Sequence, residues 1–294
     1  MATLRELKGR IGSVASSEKI TGAMKMISSA KMHRAEADLR RQLPFRSQIE
    51  TIIGNLLTAD AEFTSPLTEP REVKRVAVVV LGSDDGLCGG YNINIFKELL
   101  SRLKCWREQW GEDVDFDIYT VGRKIYKAVN KLEDVKLHVK NDDQVNSKSG
   151  YDAIKGFVNR LTGAFLAGEV DSVQLVYMNF QSVSRQRLRC EQYIPVDAAT
   201  FSSEGVKAVC RPCIFEPDAA SIFRSVLPMF LLSVMQEVFT ENRASEQAAR
   251  IMAMQSANDN AKNLLEELQL EYNKLRQQSI TTELLDIIGG QVKN

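Results

Sequence analysis

The sequence is short of histidine, cysteine and net charge: 294 residues contain two His, five Cys and as many Lys and Arg as Asp and Glu. Two isolated histidines, His33 and His138, provide no candidate triad or acid–base pair. An odd, modest number of cysteines is typical of reduced thiols rather than of a disulfide framework. Zero net charge argues against a general nucleic-acid binder. We expect a chain without an active site, metal or other cofactor of its own.

Long apolar runs are also lacking. Residues 1–12 carry charges every few positions and lack the apolar core of a signal peptide. No run approaches the roughly 20 apolar residues that a membrane span needs. We therefore expect a soluble chain that stays in the cytoplasm.

Glycine and proline are absent from the sixty residues between Met229 and Ile288, which Gly289 and Gly290 follow at once. At about 1.5 Å per residue, an unbroken helix of this length would extend about 90 Å, which no compact domain can bury alone. Small and apolar residues recur in it at steps of three and four, the pattern of a coiled-coil seam. The predicted seam consists of Ala244, Ala248, Ile251, Met254, Ala257, Ala261, Leu265, Leu268, Tyr272, Leu275, Ser279 and Thr282. Its many small residues predict a slender rod with a closely approaching partner helix.

A second helical seam begins the chain, and no proline occurs before Pro44. Its predicted positions, with one slip of register near Ser17, are Leu4, Leu7, Ile11, Val14, Ser17, Ile20, Met24 and Ile27. Each glycine in a helix interior costs about 1 kcal/mol, so Gly9, Gly12 and Gly22 make this helix dependent on a partner. We predict that the two terminal helices pair antiparallel. We also predict that the helical pattern of the N-terminal segment resumes after Pro44 and ends before Pro66.

The charges of these two segments are opposite. Residues 5–46 contain ten Lys or Arg against four Asp or Glu, and residues 229–290 contain five against nine. Complementary charge favours antiparallel pairing of the two helices. Two independently solvated faces account for the same distribution, and charge alone leaves both interpretations open.

The middle of the chain alternates strand and helix patterns. Residues 73–81 (VKRVAVVVL) form a β-branched run typical of a strand buried on both faces. Such alternation is typical of an α/β layer with a mainly parallel sheet. The predicted strands are 73–81, 114–121, 135–139, 173–180 and 188–196, and the predicted helices are 93–104, 123–132 and 151–167. Asp218 is a predicted cap of the last helix, which Pro228 is expected to kink or restart.

These patterns predict an α/β fold. An antiparallel coiled coil of long N- and C-terminal helices, residues 1–65 and 218–290, would carry an inserted doubly wound, mainly parallel-sheet domain of Rossmann-like type, residues 72–215. The expected shape is a shaft with a head.

The stretch Ser83 to Asn92 (SDDGLCGGYN) follows a buried strand and precedes a helix, where an α/β fold places ligands. It matches neither the dinucleotide fingerprint nor the phosphate loop, and the adjacent Asp84 and Asp85 would repel an anion. A structural or partner-contacting turn is therefore favoured over a nucleotide site. Cys88 is open to two interpretations, a reactive thiol or the commoner buried, inert cysteine.

Cys210-Arg211-Pro212-Cys213 has the spacing of half a zinc site or of a redox pair. Neither histidine is close in sequence, and no helix opens directly after the pair. Two ordinary thiols are the favoured interpretation.

Three blocks resemble the gamma-subunit family of F-type ATP synthases: residues 10–32 (RIGSVASSEKITGAMKMISSAKM), the SDDGLCGGYN loop, and residues 245–290 (SEQAARIMAMQSANDNAKNLLEELQLEYNKLRQQSITTELLDIIGG). Their order and spacing cover essentially the whole chain. The resemblance implies a non-catalytic rotor, one copy per complex, whose shaft stands inside a ring of three alpha and three beta subunits. It further implies an epsilon subunit and a membrane c-ring as partners, and a peripheral position on the cytoplasmic face of the cell inner membrane as part of the F1 sector. Ion-driven rotation of this shaft would drive ATP synthesis at the beta-subunit sites.

The resemblance also implies contact residues. Arg276 and Gln277 match a pair near the top of the long helix that engages a beta-subunit loop, with Thr281 just above. Met24 and Lys25 match the part of the N-terminal helix that lies beside that pair.

Cys88 and its loop match a family segment that faces acidic lever loops of the beta subunits. The sequence departs from the family at Asp85, a commonly basic position, which puts an attractive pairing there in doubt. Gly22, often a longer side chain, and Gln291, usually small, are tolerable departures on a surface.

Two other classes of protein stay open on the residues alone. An α/β enzyme with a helical dimerisation arm would bind or turn over nucleotide by itself. A structural coiled-coil adaptor, including a central stalk of the vacuolar type, would self-associate and ignore alpha and beta subunits.

Overall fold

The computed structural model describes residues 3–57, 65–132, 134–141, 144–197 and 215–291. Within these ranges the chain forms a three-layer α/β domain and two long terminal helices. The helices are α1 (Leu4–Leu57), α2 (Tyr91–Trp110), α3 (Arg123–Val129), α4 (Tyr151–Leu166) and α5 (Ala219–Gln291), and the strands are β1 (Arg75–Leu81), β2 (Asp115–Val121), β3 (Leu137–Asn141), β4 (Ser172–Phe180) and β5 (Gln186–Ile194).

The five strands form one sheet in the order β3-β2-β1-β4-β5, in which only β5 runs antiparallel to its neighbour. Alternate residues of β1 point to opposite faces, as the two-residue period of a strand requires. Val76, Val78 and Val80 pack with α2 and α3, whereas Ala77 and Val79 pack with α4, α5 and the end of α1. The predicted doubly wound, mainly parallel sheet is confirmed.

The predicted elements are confirmed with shifted ends. β3 begins at Leu137, two residues later than predicted, and α2 continues to Trp110. Asp218 Oδ1 accepts the backbone N–H of Ser221 over 2.8 Å, so Asp218 caps α5 as predicted. Of the two outcomes predicted for Pro228, a kink or a restart, the restart is wrong, because α5 continues through this residue while the neighbouring apolar side chains pack on the sheet.

The two terminal helices pair antiparallel, as the sequence predicts. Within α5, the predicted seam residues Ala244, Ala248 and Met254 are buried, and Met32 of α1 packs on Ala248 and Ile251. Further towards the tip, where two helices alone cover one another, Leu268 is buried. The other predicted seam residues up to Ser279 are half-buried there. Thr282, the last predicted position, is exposed.

Beyond Val14 the predicted seam of α1 is wrong at every position except Met24, which is half-buried. Ser17 is exposed, and Ile20 and Ile27 are 60% and 55% exposed, whereas Ser28 is buried against the partner helix. Small residues allow α5 to approach closely, so they occupy the contact and turn larger apolar side chains outward. Apolar spacing alone therefore gave the wrong face.

Ion pairing between the two helices is confined to their lower part, which is the end that packs on the α/β domain. Arg46 donates from Nη1 to Glu237 of α5, and from Nε to Glu50 of α1 over 2.8 Å. In the part of the chain that the structure describes, no other ion pair joins α1 to α5. The general charge complementarity read from the sequence is thus a minor contribution beside packing.

One helix, α5, contains an 18-residue window that is long and apolar enough to cross a membrane, with a mean hydropathy of 1.4. This corrects the expectation that no such run exists. The window is 44% buried, and residues such as Leu227, Phe230 and Leu231 pack in the core of the α/β domain.

Candidate functional site

The turn between β1 and α2, residues 82–90 and called the β1–α2 loop below, is held in shape by Asn92. Ser83 donates its backbone N–H to Asn92 Oδ1 over 3.1 Å, and Asn92 Nδ2 donates to Ser83 Oγ over 2.7 Å. Ser83 Oγ then donates to the carbonyl oxygen of Asp85 over 2.8 Å. This chain of bonds satisfies the buried polar groups of the loop within the loop and the first turn of α2.

Two glycines let the β1–α2 loop approach the start of α3. A Cβ on Gly82 would lie 2.6 Å from Cβ of Ile125. Gly122 has a φ of +114°, and a Cβ there would lie 2.9 Å from the backbone of Ser83. Only glycine combines this conformation with such a short distance.

Asp84 joins the β1–α2 loop to two other segments. Its side chain is 7% exposed, and Oδ1 accepts the backbone N–H of Arg123 over 3.1 Å. Oδ2 accepts the backbone N–H and the hydroxyl of Ser147 over 3.1 and 2.7 Å. A buried carboxylate requires donors of this kind. Asp84 therefore fixes the loop to α3 and to residues 144–150, called the 144–150 segment.

Asp85 has a different environment, because it is half exposed. Lys148 Nζ donates to Asp85 Oδ2 over 2.8 Å, and Arg123 Nη2 lies 3.7 Å from Asp85 Oδ1. The hydrogen bond from Lys148 is the main reason that the pKa of Asp85 is lowered. Neither aspartate is therefore a free negative charge, since Asp84 is enclosed by donors and Asp85 is paired.

The long helix α5 is bonded to the same loop at two levels. Tyr91 donates its hydroxyl to Asn242 Oδ1 over 2.6 Å, and Asn242 Nδ2 donates to the carbonyl oxygen of Gly82 over 3.0 Å. Two turns further along α5, both Nε and Nη2 of Arg250 donate to the carbonyl oxygen of Gly86 over 3.2 Å.

Buried charges support these contacts. Arg250 Nη2 also donates to Glu246 Oε1 over 2.7 Å, and burial raises the pKa of Glu246 while Arg250 opposes the shift. Arg243 donates to the carbonyl oxygens of Ser147 and Ser149 over 3.3 and 3.0 Å. The β1–α2 loop, the 144–150 segment and α5 are thus joined into one unit.

The exposed tip of this unit is Leu87, not Cys88. Leu87 is 60% exposed and has a φ of +64°, a region that non-glycine residues rarely adopt. Cys88 is 3% exposed, and its Sγ accepts a hydrogen bond from Asn92 Nδ2 over 3.4 Å. The interpretation of Cys88 as a buried cysteine is confirmed, so any direct contact at this loop falls on its neighbours.

Arg276, Gln277 and Thr281 lie at the far end of the shaft and are all exposed. Thr281 Oγ1 donates to the carbonyl oxygen of Gln277 over 2.9 Å, a bond within the helix that leaves the outer face accessible. Apolar residues around them are exposed too, including Ile280 and Leu284. α5 continues beyond the start of α1 here, which gives the shaft a single-helix end.

The structure does not place Met24 and Lys25 beside Arg276 and Gln277. Glu18 and Gly22 of α1 contact Asn258 of α5, with Asn258 Nδ2 lying 2.7 Å from the Glu18 carbonyl oxygen. At about 1.5 Å per residue, Asn258 is about 27 Å below Arg276 along the axis. The antiparallel register thus moves Met24 and Lys25 down the shaft, to the level of the β1–α2 loop.

Sequence reasoning missed the residues that hold this loop, namely Arg123, Ser147, Lys148, Asn242, Arg243 and Arg250. Lys148 and Asp85 are 63 residues apart, and no local pattern links them. The sequence did contain a usable signal. Asn242, Arg243 and Arg250 interrupt a helix face of otherwise small residues, and a buried polar side chain needs a hydrogen-bond partner.

Possible metal ligands and the remaining cysteines are further candidates for a site among the described residues. Within the described ranges, no group of three or more His, Cys, Asp or Glu side chains is arranged to hold a metal ion. Cys105 and Cys190 are free, and burial raises the pKa of Cys190 to about 11. The Cys210/Cys213 pair lies outside the described residues.

Comparison with known proteins gives full-length matches. A family model described as ATP synthase matches residues 3–292. A protein of Phocaeicola vulgatus named ATP synthase gamma chain is 42% identical over 293 residues, covering 99% of this chain and 100% of the relative. The ATP synthase gamma chain of Bacteroides fragilis is 41% identical over 296 residues, with 99% and 100% covered.

Solved structures with the same fold come from mitochondrial ATP synthases. A chain of the Euglena gracilis OSCP/F1/c-ring assembly aligns with a TM-score of 0.65 and 19% identity, covering 98% of this chain and 93% of that one. A chain of the Tetrahymena thermophila central stalk/c-ring structure aligns with a TM-score of 0.57 and 22% identity, covering 81% and 99%.

Proposed function

The chain belongs to the ATP synthase gamma-chain family, and we propose that it is the central-stalk rotor of an F-type ATP synthase, non-catalytic by itself. The observation that carries this proposal is mechanical: α5 runs as one helix from the core of the α/β domain to the tip of the shaft. Asn242 and Arg250 bond it to the β1–α2 loop on the way. A rod fixed to a rigid head can pass rotation from one end to the other.

The shaft can couple its rotation to the beta-subunit catalytic sites because it is asymmetric. One side of it presents the α/β domain, another presents exposed apolar residues of α1 such as Ile20 and Ile27, and the tip is α5 alone. Each of three beta-subunit catalytic sites therefore meets a different side. A contact that favours one conformation of a beta subunit shifts that subunit's population, so rotation changes the state of each site in turn.

The family and the geometry of the shaft support a proposed set of partners. One copy of the chain stands in a ring of three alpha and three beta subunits, and its α/β domain lies towards an epsilon subunit and the membrane c-ring. The complex places it on the cytoplasmic face of the cell inner membrane, as a peripheral part of the F1 sector. Ion flow through the membrane sector drives ATP synthesis, and ATP hydrolysis drives the reverse.

Six residues are proposed as contacts with the beta subunits. At the tip, where no second helix lies beside α5 in the described part of the chain, Arg276 and Gln277 offer exposed donors. Thr281 is exposed as well, with its hydroxyl bonded to the Gln277 carbonyl oxygen. Lower down, Met24 and Lys25 lie at the level of the β1–α2 loop. Cys88 contributes through this loop, which it helps to shape from inside.

The test is the ATPase activity of alpha and beta subunits co-purified with this chain, comparing the wild type with Arg276→Ala/Gln277→Ala. Because hydrogen bonds to charged groups contribute about 1.5–3 kcal/mol, we expect turnover to fall about tenfold in a complex that still assembles. Lys104→Ala/Gln109→Ala, on the exposed face of α2, is the matched control and should leave turnover unchanged.

Three results would contradict the rotor function: no complex with one copy per three beta subunits, nucleotide turnover by the chain alone, or stable self-association in place of the complex. The second would favour an α/β enzyme, and the third a coiled-coil adaptor.

A further inference from the structure

One stretch of α5, from Thr240 to Ile251 and called the collar segment below, is enclosed on all sides. Ten of its twelve residues are buried, and the other two, Arg243 and Ala249, are half-buried. In the shaft that follows, exposed positions recur every few residues, beginning with Met252. At the collar segment α5 is therefore surrounded by the α/β domain and α1, whereas further up it has one side open.

The collar segment is polar although it is buried. The buried residues of the preceding turns, from Phe230 to Phe239, are mostly apolar. Burial of a polar group costs free energy unless the group is hydrogen-bonded, and apolar side chains of similar volume are often as stabilising as buried charges. This choice of residues points to a requirement other than stability. The buried polar residues of the collar segment are Thr240, Glu241, Asn242, Ser245, Glu246, Gln247 and Arg250.

One side of the collar segment is bonded to strand β4. Ser245 Oγ donates to the carbonyl oxygen of Met178 over 3.0 Å. One turn earlier on the same side, Glu241 Oε1 accepts a hydrogen bond from Asn179 Nδ2 over 2.6 Å. Both bonds join α5 directly to the sheet.

The other bonds of the collar segment go to the two connections described above. Asn242 and Arg250 hold the β1–α2 loop through the carbonyl oxygens of Gly82 and Gly86. Arg243 holds the 144–150 segment through two further carbonyl oxygens. The acceptors are backbone atoms, so their positions are set by the fold of the domain.

These partners lie around the helix in different directions. At about 100° per residue from Glu241, the bonds to β4 leave the helix at about 0–40°, those to the β1–α2 loop at about 100–180°, and those to the 144–150 segment at about 200°. Ala248 and Ile251, which pack with Met32 of α1, point to about 280–340°. Directional bonds thus hold α5 from three sides, and α1 covers the fourth.

Bonds from three sides resist rotation of α5 about its own axis. A polar atom lies about 5–6 Å from the helix axis, so a turn of about 20° moves it by roughly 2 Å. A hydrogen bond of about 3 Å is lost at such a displacement. Apolar contacts are non-directional and lose little in the same turn. The core contacts of α1, through Ile49, Ile53 and Leu56, are of this second kind.

We propose that Asn242 and Arg243 are positioning residues which, together with Glu241, Ser245 and Arg250, fix the angle between the shaft and the α/β domain. Torque then passes between domain and shaft at the collar segment, and the stiffness of this joint determines how far it twists in each rotational step. The inference rests on the rotor function proposed above and assigns the torsional stiffness of the rotor to named bonds within this chain.

The experiment measures the stiffness of the joint in the complex of this chain with alpha and beta subunits. These subunits are fixed to a surface, a particle is attached to the exposed face of α2, and its angular fluctuations are recorded without ATP. Their variance is inversely proportional to the stiffness. Asn242→Ala/Arg243→Ala removes about half of the bonds between the collar segment and the domain. Because bonds at separate sites add their contributions, we expect the variance to rise about 1.5- to 2-fold.

Thr240→Val is the matched control, because it keeps the shape of the side chain. Thr240 and Glu241 are both 7% exposed, but the hydroxyl of Thr240 donates to the carbonyl oxygen of Gln236 within α5 itself, over 2.8 Å. Its removal should leave the variance unchanged. Arg243→Lys, which keeps the charge and a donor, should raise the variance less than Arg243→Ala.

A purely structural role gives a different result, in which the double variant lowers the melting temperature of the complex and leaves the variance unchanged. That result overturns the inference, as does an equal rise of the variance in Thr240→Val. Where the double variant does not assemble, Tyr91→Phe replaces it. This change removes the bond of Tyr91 to Asn242 and keeps the ring, and an unchanged variance would again contradict the proposal.

Failure of the rotor function would be seen in the wild-type chain. Either no complex would form with alpha and beta subunits, or the attached particle would not turn when ATP is added.

Discussion

Asn258 of α5 donates from Nδ2 to the backbone carbonyl oxygen of Glu18 in α1 over 2.7 Å, across 240 residues of sequence. Its Nδ2 is also 3.3 Å from the hydroxyl of Thr21. The absent side chain of Gly22 makes room for it, since a Cβ there would already lie 3.4 Å from the amide nitrogen. A single polar residue in a coiled-coil seam fixes the register of the two helices.

We expect Asn258→Ala to lower the free energy of unfolding by about 1 kcal/mol, the usual net contribution of one hydrogen bond. Urea unfolding followed by the helical circular dichroism signal measures the change. Asn263→Ala, at an exposed position of the same helix, gains the same helix propensity and is the control. Equal unfolding midpoints for the two variants would show that the contact does not hold the register.

Replacing a glycine by alanine should change the free energy of unfolding in opposite directions in the shaft and in the α/β domain. A Cβ on Gly12 meets nothing within 4 Å, so Gly12→Ala should raise the free energy of unfolding by about 0.5–1 kcal/mol. A Cβ on Gly82 would meet Ile125 Cβ at 2.6 Å, so Gly82→Ala should lower it by about 1–3 kcal/mol. Thermal unfolding compares the two variants, and a shift of both in one direction would contradict the close approach.

The pH dependence of stability should reflect Glu241, a buried residue of α5. Burial is the main reason that the pKa of Glu241 is raised to about 7, and Glu237 and Glu191 add to the shift. A hydrogen bond from Asn179 Nδ2 to Oε1 over 2.6 Å and the charge of Arg189 oppose it. An acid with a raised pKa binds its proton more tightly in the folded chain, so stability falls as pH rises from about 4.5 to about 7.

We therefore expect Glu241→Gln, which keeps the acceptor for Asn179 but cannot ionise, to be the more stable chain at pH 8 by about 2 kcal/mol. The advantage should shrink as pH falls through this window and vanish near pH 4.5. Urea unfolding of both chains at pH 5, 6, 7 and 8 measures it, and a pH-independent difference would exclude this assignment.

Removal of Arg46 should weaken the lower part of the shaft. Its guanidinium pairs with Glu237, whose side chain is 13% exposed, and with Glu50. Arg46→Met leaves Glu237 without its cation, and we expect a loss of about 2–3 kcal/mol in the free energy of unfolding.

Arg46→Met/Glu237→Met removes both charges and should recover most of that loss. Chemical unfolding of the three chains forms the test. A double variant as unstable as the single one would mean that packing, rather than the uncompensated charge, causes the loss.

Much of the fold could be read from the sequence because its patterns are local. The β-branched run before Leu81 is a strand buried on both faces, and the small residues at Ala244 and Ala248 are in the seam. The α1 seam could not be read in the same way. Ile20 and Ile27 are exposed in this chain, and apolar spacing does not distinguish a face that meets α5 from one that meets another molecule.

The β1–α2 loop shows a second limit of local patterns. Asp84 and Asp85 are neighbours in sequence, but one is buried among donors and the other is paired with Lys148 at the surface. These roles depend on the 144–150 segment, which the crossover connections of the sheet bring to the same edge. The sequence predicted a turn at the right place. Tertiary contacts determine which of its two aspartates is buried and which lies at the surface.

The pairing of α1 with α5 has a consequence for biosynthesis. More than 160 residues separate the end of α1 at Leu57 from the start of α5 at Ala219. Translation proceeds at about 5–20 residues per second, so α1 leaves the ribosome roughly 10–30 s before its partner exists. During that interval its glycines and its apolar positions have no covering helix, and a chaperone or an early-bound subunit has time to bind them first.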